Sequence, residues 1–310
     1  MMTSQEFDGL PVLGDMAPEQ AIAKLHEIGE DEVADALASV PHTRGAFDGL
    51  ANMFSFLGLT PPVWVNTAHA FGYLAPGSAE GGILPIRHAG NMDGDSQLKN
   101  SRIRITLNRF RVAQYPGSGT HRILLDFYAR NEVPGNAEAL HFNATFRAEE
   151  GQEVAVIGHP IFVGLNVGAE GVAFGCKTVN VQNDNDQKFL EFLDTDVFKA
   201  GLQLATTLQP AIAPLTGMAL GLTKAIAQRN QNVSVQEFLM GLDFSDDPAG
   251  ARLAEGSYLA VQIPQSSLLI WDWNEWVFNR ANGQVVSKVD PKQLIPYNYI
   301  IFGVTKYDGA

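Results

Sequence analysis

Five basic residues fall within thirteen positions: Lys99, Arg102, Arg104, Arg109 and Arg111. Guanidinium groups at this density can hold an anion, because each offers a planar fork of donors to a phosphate or a carboxylate. The ligand could be a lipid headgroup, a phosphate, an acidic partner, or the acidic surface of a second copy of the chain. The same charges on an edge strand would also block aggregation. Three of the four tryptophans, Trp271, Trp273 and Trp276, sit within six residues. On a strand, Trp271 and Trp273 would share a face, where two indoles can stack on a sugar or lie at a membrane interface.

Two acidic fragments, Asp93-Gly94-Asp95 and Asp184-Asn185-Asp186, resemble pieces of calcium loops. Calcium takes roughly six to eight oxygen ligands. The twelfth position counted from Asp93 or Asp184 holds Arg104 or Thr195 in place of a bidentate Glu. Asp194, Asp196, Asp243, Asp246 and Asp247 are further ligands that a second loop could bring in. Turn chemistry accounts for the same residues without a metal.

The 24 residues from Ala200 to Thr223 carry no charge. That length can span a hydrocarbon core as a helix. Gln203, Gln209, Pro210 and Pro214 interrupt the run, and its apolar residues form a stripe that includes Leu204, Leu208, Ile212, Leu215 and Leu222. A stripe of this kind packs against a protein core or, if released, against a membrane. Catalytic signatures are missing: there is no G-x-S-x-G, no phosphate-binding glycine loop, no dinucleotide fingerprint and no H-E-x-x-H. Cys176 lies in an apolar strand, as a structural thiol would. His141 shares the outward face of its strand with Asn143, Thr145 and Arg147.

These residues must be positioned by a mostly β chain. Apolar spacing predicts helices on either side of Gly29 and another from about Ala46 to Leu57, ended by Thr60-Pro61-Pro62. Residues 63–100 read as loops with one or two short strands. Ile103, Ile105 and Leu107 alternate with polar residues until Asn108-Arg109, where the phase slips as at a β-bulge. Tyr115–His121 reads as a hairpin turn returning into Arg122–Ala129. Strands follow at Leu140–Ala148, Val154–Ile157, Ile161–Val167 and Val172–Val181. Helical spacing then covers residues 186–230, with Pro210 and Pro214 dividing it into at least two helices. No element is assigned from 231 to 257. Strands resume at Tyr258–Ile263, Leu268–Asn279, Gln284–Val289 and Tyr297–Tyr307, with Asn282-Gly283 as a hairpin signal.

The expected fold is α+β and mainly β. It is an antiparallel β-sandwich (61–310) with an N-terminal helical segment (1–60) and a helical insertion (186–230), the alternative being two small β domains separated by helices, and it resembles C2-like and jelly-roll sandwiches in architecture only. The chain has 310 residues, 21 basic and 34 acidic, for a net charge of −13. This balance opposes general nucleic-acid binding. One cysteine excludes an internal disulfide. The N-terminus has no apolar signal segment, so the default address is cytoplasmic, with signal-independent export left open.

The expected function is a non-enzymatic binding or self-assembly module. It engages a protein partner, a second copy in a homo-oligomer, or a membrane. Two alternatives stand beside it: a pore-forming or membrane-inserting effector using 200–223, and a hydrolase with its site in the loops at one end of the sandwich. No cofactor is expected, calcium being the one candidate.

Overall fold

A computed structural model describes residues 6–7, 9–40, 49–77, 82–133, 136–186, 190–191, 193, 195–204, 209–245 and 250–309. Strands account for 42% and helices for 24%, so the chain is mainly β. It opens with α1 (Pro18–Glu27), α2 (Asp31–Ala38) and α3 (Leu50–Phe56). Pro18 occupies the first turn of α1, where its missing N–H costs nothing. Gly29, at φ +79°, turns the chain between α1 and α2. Asp31 and Glu32 then lie at the positive end of α2. Residues 46–48 of the expected third helix lie outside the described residues.

The strands in chain order are β1 (Ala68–Leu74), β2 (Ile83–Pro85), β3 (Arg87–His88), β4 (Arg102–Arg111), β5 (Thr120–Val133), β6 (Asn136–Glu149), β7 (Glu153–Asn166) and β8 (Gly171–Val181). Helix α4 (Asp196–Lys199), strand β9 (Leu202–Gln203) and helix α5 (Gln209–Ala227) follow. The rest are β10 (Asn232–Asp243), β11 (Ala251–Arg252), β12 (Gly256–Ile263), β13 (Trp276–Asn279), β14 (Gln284–Ser287) and β15 (Tyr299–Lys306).

They form three sheets: β3-β1-β12-β15-β4-β7-β9, β11-β10-β8-β5-β6 and β14-β13-β2. Pairing is antiparallel except for the two-residue strands β9 and β11. The two larger sheets share one core, in which Phe174 of β8 meets Phe302 of β15 at 4.4 Å and Phe162 of β7 at 6.5 Å. Leu25, Leu37, Leu50 and Met53 of the three helices belong to the same core. The opposite face of the seven-stranded sheet buries Leu259, Val261 and Ile301 against the three-stranded sheet. This explains why β12 and β15 are buried along most of their length: both faces are covered, so their sequences read as continuous apolar runs.

The structure changes several expectations. The slip at Asn108-Arg109 is a true register shift, seen against β7 between Leu107 and Arg109 and against β15 between Ile301 and Phe302. Tyr115–His121 is not a hairpin: β4 and β5 belong to different sheets, and the segment crosses between them. Tyr115 anchors it from inside, its hydroxyl 2.9 Å from that of Thr178. Val154–Ile157 and Ile161–Val167 are one bulged strand, β7. Residues 63–100 contain a seven-residue inner strand, β1. Its small residues signal proximity rather than a loop, since the indole of Trp273 lies where a side chain on Gly72 would be. Residues 231–257, expected to hold no element, contain strand β10, whose Val233, Val235, Phe238, Met240 and Leu242 all face the core across its bulge. The two helices expected in 186–230 are present as α4 and α5, but the prolines do not divide α5: Pro210 is its second residue and Pro214 lies inside it.

Candidate functional site

The three-stranded sheet leaves part of the outer face of the seven-stranded sheet uncovered. That uncovered part is the floor of a cleft of about 530 Å³. Thr106 and Asn108 of β4, Ser257 of β12, and Gly303 and Thr305 of β15 form this floor. Gly303 keeps it open, since a side-chain carbon there would come within 2.8 Å of the Thr106 hydroxyl and 2.9 Å of the Asn108 amide. Thr106 Oγ1 donates to Asn108 Oδ1 at 3.1 Å, which sets the orientation of the amide. Leu84 and Phe278 supply an apolar wall, and Ile157-Gly158 of the bulged β7 supplies another.

Two arginines reach this cleft, Arg109 and Arg280. Both are placed by the turn between β13 and β14. The guanidinium of Arg109 lies on Gly283, which has φ +73° and no space for a side chain. Arg280 is in the same turn, and its Nη1 donates to the carbonyl of Gly77 at 2.8 Å. Glu255 also lines the cleft, with its Oε1 accepting from the backbone N–H of Lys306 at 2.7 Å. Burial raises the pKa of Glu153, while Arg109 and Arg111 oppose that rise, which places Glu153 in their field.

The structure therefore separates the basic residues of β4. Arg109 lines the cleft. Arg111 is buried and donates to the carbonyl of Gly151 at 2.7 Å. Arg102 donates to Asn166 at 3.3 Å, and Arg104 lies over the ring of Tyr307 at 5.6 Å. The bulge keeps all four arginines on the outer face, since Phe110 and Val112 join Ile103, Ile105 and Leu107 in the core, and their different neighbours along the strand produce the split. Arg280 joins the cleft without any local sequence signal that marks it.

The tryptophans do not lie on one strand face. Residues 268–275 form turns, and β13 begins only at Trp276. Trp273 is buried against β1, while Trp271 stacks on Trp276 at 6.4 Å and meets Trp273 and Tyr297 edge-on. The indole N–H groups of Trp271 and Trp273 are buried without a hydrogen-bond partner among the described residues.

In the uncharged run, α5 lies on the outer face of the five-stranded sheet. Ile212 is buried, Leu204 and Leu222 are partly buried, and Leu215 is 37% exposed; Leu208 lies outside the described residues. Among those residues, no helix is long and apolar enough to cross a membrane. The calcium candidates are dispersed. Asp95 caps the N–H of Gln97, and Asp93 shares a small polar hollow with Arg252. Asp184 faces Arg122 at 3.7 Å, and buried Asp186 is held by Arg229 and Asn232. Asp194, Asp246 and Asp247 lie outside the described residues. Among those described, no group of acids, histidines and cysteine is arranged to hold a metal.

A second constellation lies under α5. Strand register places Glu237, Lys177, Asp126 and Asn143 side by side across four strands. Lys177 and Asp126 are fully buried. Lys177 Nζ bridges to Glu237 at 3.1 Å and donates to the carbonyl of Leu10 at 2.6 Å. The carboxylate of Asp126 can only accept, so His141 Nδ1–H donates to it, at 3.1 Å. Asn143 donates to Thr223 of α5 at 2.9 Å. His141 also borders an apolar pocket of about 260 Å³ lined by Phe142, Phe198, Leu202, Leu215 and Ala219.

Comparison of the chain with protein-family models, curated proteins and solved structures found no match.

Proposed function

We propose that this protein is a non-catalytic binding module built on a β-sandwich formed by the two larger sheets, and that its ligand is a hydroxyl-rich organic anion held in the Arg109–Arg280 cleft. The carrying observation is the pairing of two turn-anchored guanidiniums with an open floor of Thr106, Asn108 and Ser257. Guanidinium forks hold a phosphate or carboxylate, the floor offers hydroxyl and amide partners, and Phe278 offers an apolar face to a ring. The volume lies within the roughly 300–1,000 Å³ of small-ligand sites.

Titration with inorganic phosphate, with a sugar phosphate and with the uncharged sugar tests this reading. The expected order of binding is sugar phosphate, then phosphate, then sugar. Arg109→Gln and Arg280→Gln should each weaken the sugar phosphate about tenfold or more, since a hydrogen bond to a charged group contributes about 1.5–3 kcal/mol. Equal affinity in wild type and both variants would reject the cleft.

A hydrolase is the second reading, and the specific observation for it is His141. With Nδ1 committed to Asp126, its Nε2 is the free base of the ring, and the ring borders a pocket. On this reading the wild type cleaves a short p-nitrophenyl ester and His141→Asn loses at least about 100-fold in rate. Absence of wild-type turnover rejects it and leaves the pair with a purely structural role.

A further inference from the structure

The segment Pro264–Trp271, PQSSLLIW, carries no charge and follows the end of β12. Leu268, Leu269 and Ile270 are 42%, 95% and 80% exposed. Three backbone bonds hold them there: Ser267 N–H to the carbonyl of Pro264, Leu268 N–H to Gln265, and Ile270 N–H to Ser267. The aliphatic side chains are thus presented by a closed turn. They run in the chain straight into Trp271, which with Trp276 and Tyr297 is partly buried and packed on the core that holds Trp273. A second turn flanks the same cluster, because Trp276 pairs with Ser287 and Lys288 N–H donates to the carbonyl of Glu275 at 2.8 Å. That turn exposes Val289 at 91% between Lys288 and Lys292.

We propose that this tip seats the protein on a lipid bilayer, with Leu269 and Ile270 entering the acyl boundary and Trp271, Trp276 and Tyr297 at headgroup level. The order of the side chains outward from the core is the order of polarity through a bilayer interface: aromatic rings at the headgroups, aliphatic groups beyond them. Size separates this occupant from a protein. A stable protein interface buries at least about 1,000 Å² in total, about 500 Å² on each partner, and three side chains on one turn offer roughly a few hundred at most. Charge selects the lipid. Asp272, Glu275 and Asp290 offset Lys288 and Lys292 near the tip, and the chain carries −13 overall. Attachment therefore depends on insertion rather than on anionic headgroups, and salt leaves it unchanged. This surface is independent of the Arg109–Arg280 cleft.

The test is co-sedimentation of the full chain with phosphatidylcholine vesicles, with and without phosphatidylserine, at low and high salt. Wild type should partition onto both, equally within about threefold, and remain bound at high salt. Leu269→Asp/Ile270→Asp should lose at least tenfold in partition with an unchanged melting temperature, because both side chains are outside the core. Val289→Asp should lose a smaller factor. Trp fluorescence should shift to the blue with vesicles in wild type only. Absence of partition onto either vesicle overturns the proposal, as does equal binding by the double variant. Binding only to phosphatidylserine vesicles, abolished by salt, overturns it in favour of plain electrostatic adsorption. A concentration-dependent dimer lost in the double variant, without lipid binding, overturns it in favour of a second copy as occupant.

Discussion

Lys177→Met is expected to destabilise the protein by about 3–5 kcal/mol, the cost of breaking a buried ion pair from one side. Methionine fills nearly the same space, so the loss is electrostatic rather than a cavity. Lys177 is fully buried between Glu237 and the Asp126 strand position, and its ammonium also satisfies the carbonyl of Leu10. Without it, Asp126 loses the positive charge at the paired strand position, in an interior that solvates a carboxylate poorly. Adding Asp126→Asn to Lys177→Met should recover a large part of the loss, giving strongly non-additive energies in a double-mutant cycle. Urea unfolding at pH 7 measures all four proteins. A loss below about 1 kcal/mol for Lys177→Met, or simple additivity, would show that the row is not an electrostatic unit.

Acidification from pH 7 to pH 4 is expected to remove about 2 kcal/mol of stability through His69 alone. Burial pushes its pKa from 6.5 down to about 4. Its Nε2 is buried without a hydrogen-bond partner among the described residues, and the ring stacks with Phe71 and packs on Phe238. The folded state holds the imidazole neutral, while the unfolded chain protonates it near 6.5. Between these two values the unfolded chain binds more protons, so stability rises with pH. There is no penalty above about pH 6.5, and it grows as pH falls toward 4. The full displacement corresponds to about 3 kcal/mol, which the partial exposure of the residue reduces to about 2. His121 and His159 are shifted in the same direction, also by burial. Asp15 and Glu153, whose pKa values burial raises, act in the opposite sense as they take up protons. The difference between wild type and His69→Gln in stability against pH isolates the His69 contribution. Parallel curves from pH 7 to 4 would remove it.

Features governed by neighbouring residues are legible in the sequence. The alternation of Ile103, Ile105 and Leu107 marks β4, and its slip at Asn108-Arg109 marks the bulge. Asn282-Gly283 marks the turn between β13 and β14. Gly29 separates two helices whose apolar spacing is plain. In β10 the same kind of signal is weaker, because a bulge at Ser234–Gln236 splits the alternation into two short halves.

The functional surfaces were less legible. Arg109 stood among five basic residues that looked equivalent, and only the bulge and the β13–β14 turn bring it beside Arg280, 171 positions later. Trp271 and Trp273 were visible as a cluster, but a strand was the wrong frame for them. Asp272 instead caps the N–H of Asn274, which closes a turn and leaves Leu269 and Ile270 outside.

The amino-acid sequence by itself determined that this chain is mainly β with helical segments, where its sharpest turns fall, and that one of its strands is basic. These follow from φ/ψ preferences and periodicity, which act over a few residues. The tertiary structure alone decided which strand joins which sheet, and therefore that Glu237, Lys177, Asp126 and Asn143 meet in one buried row and that Arg109 and Arg280 face one cleft. Each of these side chains reads locally as a solvated polar group. Their meaning comes from strand register and sheet packing, in which residues far apart in the chain compete for the same interior space.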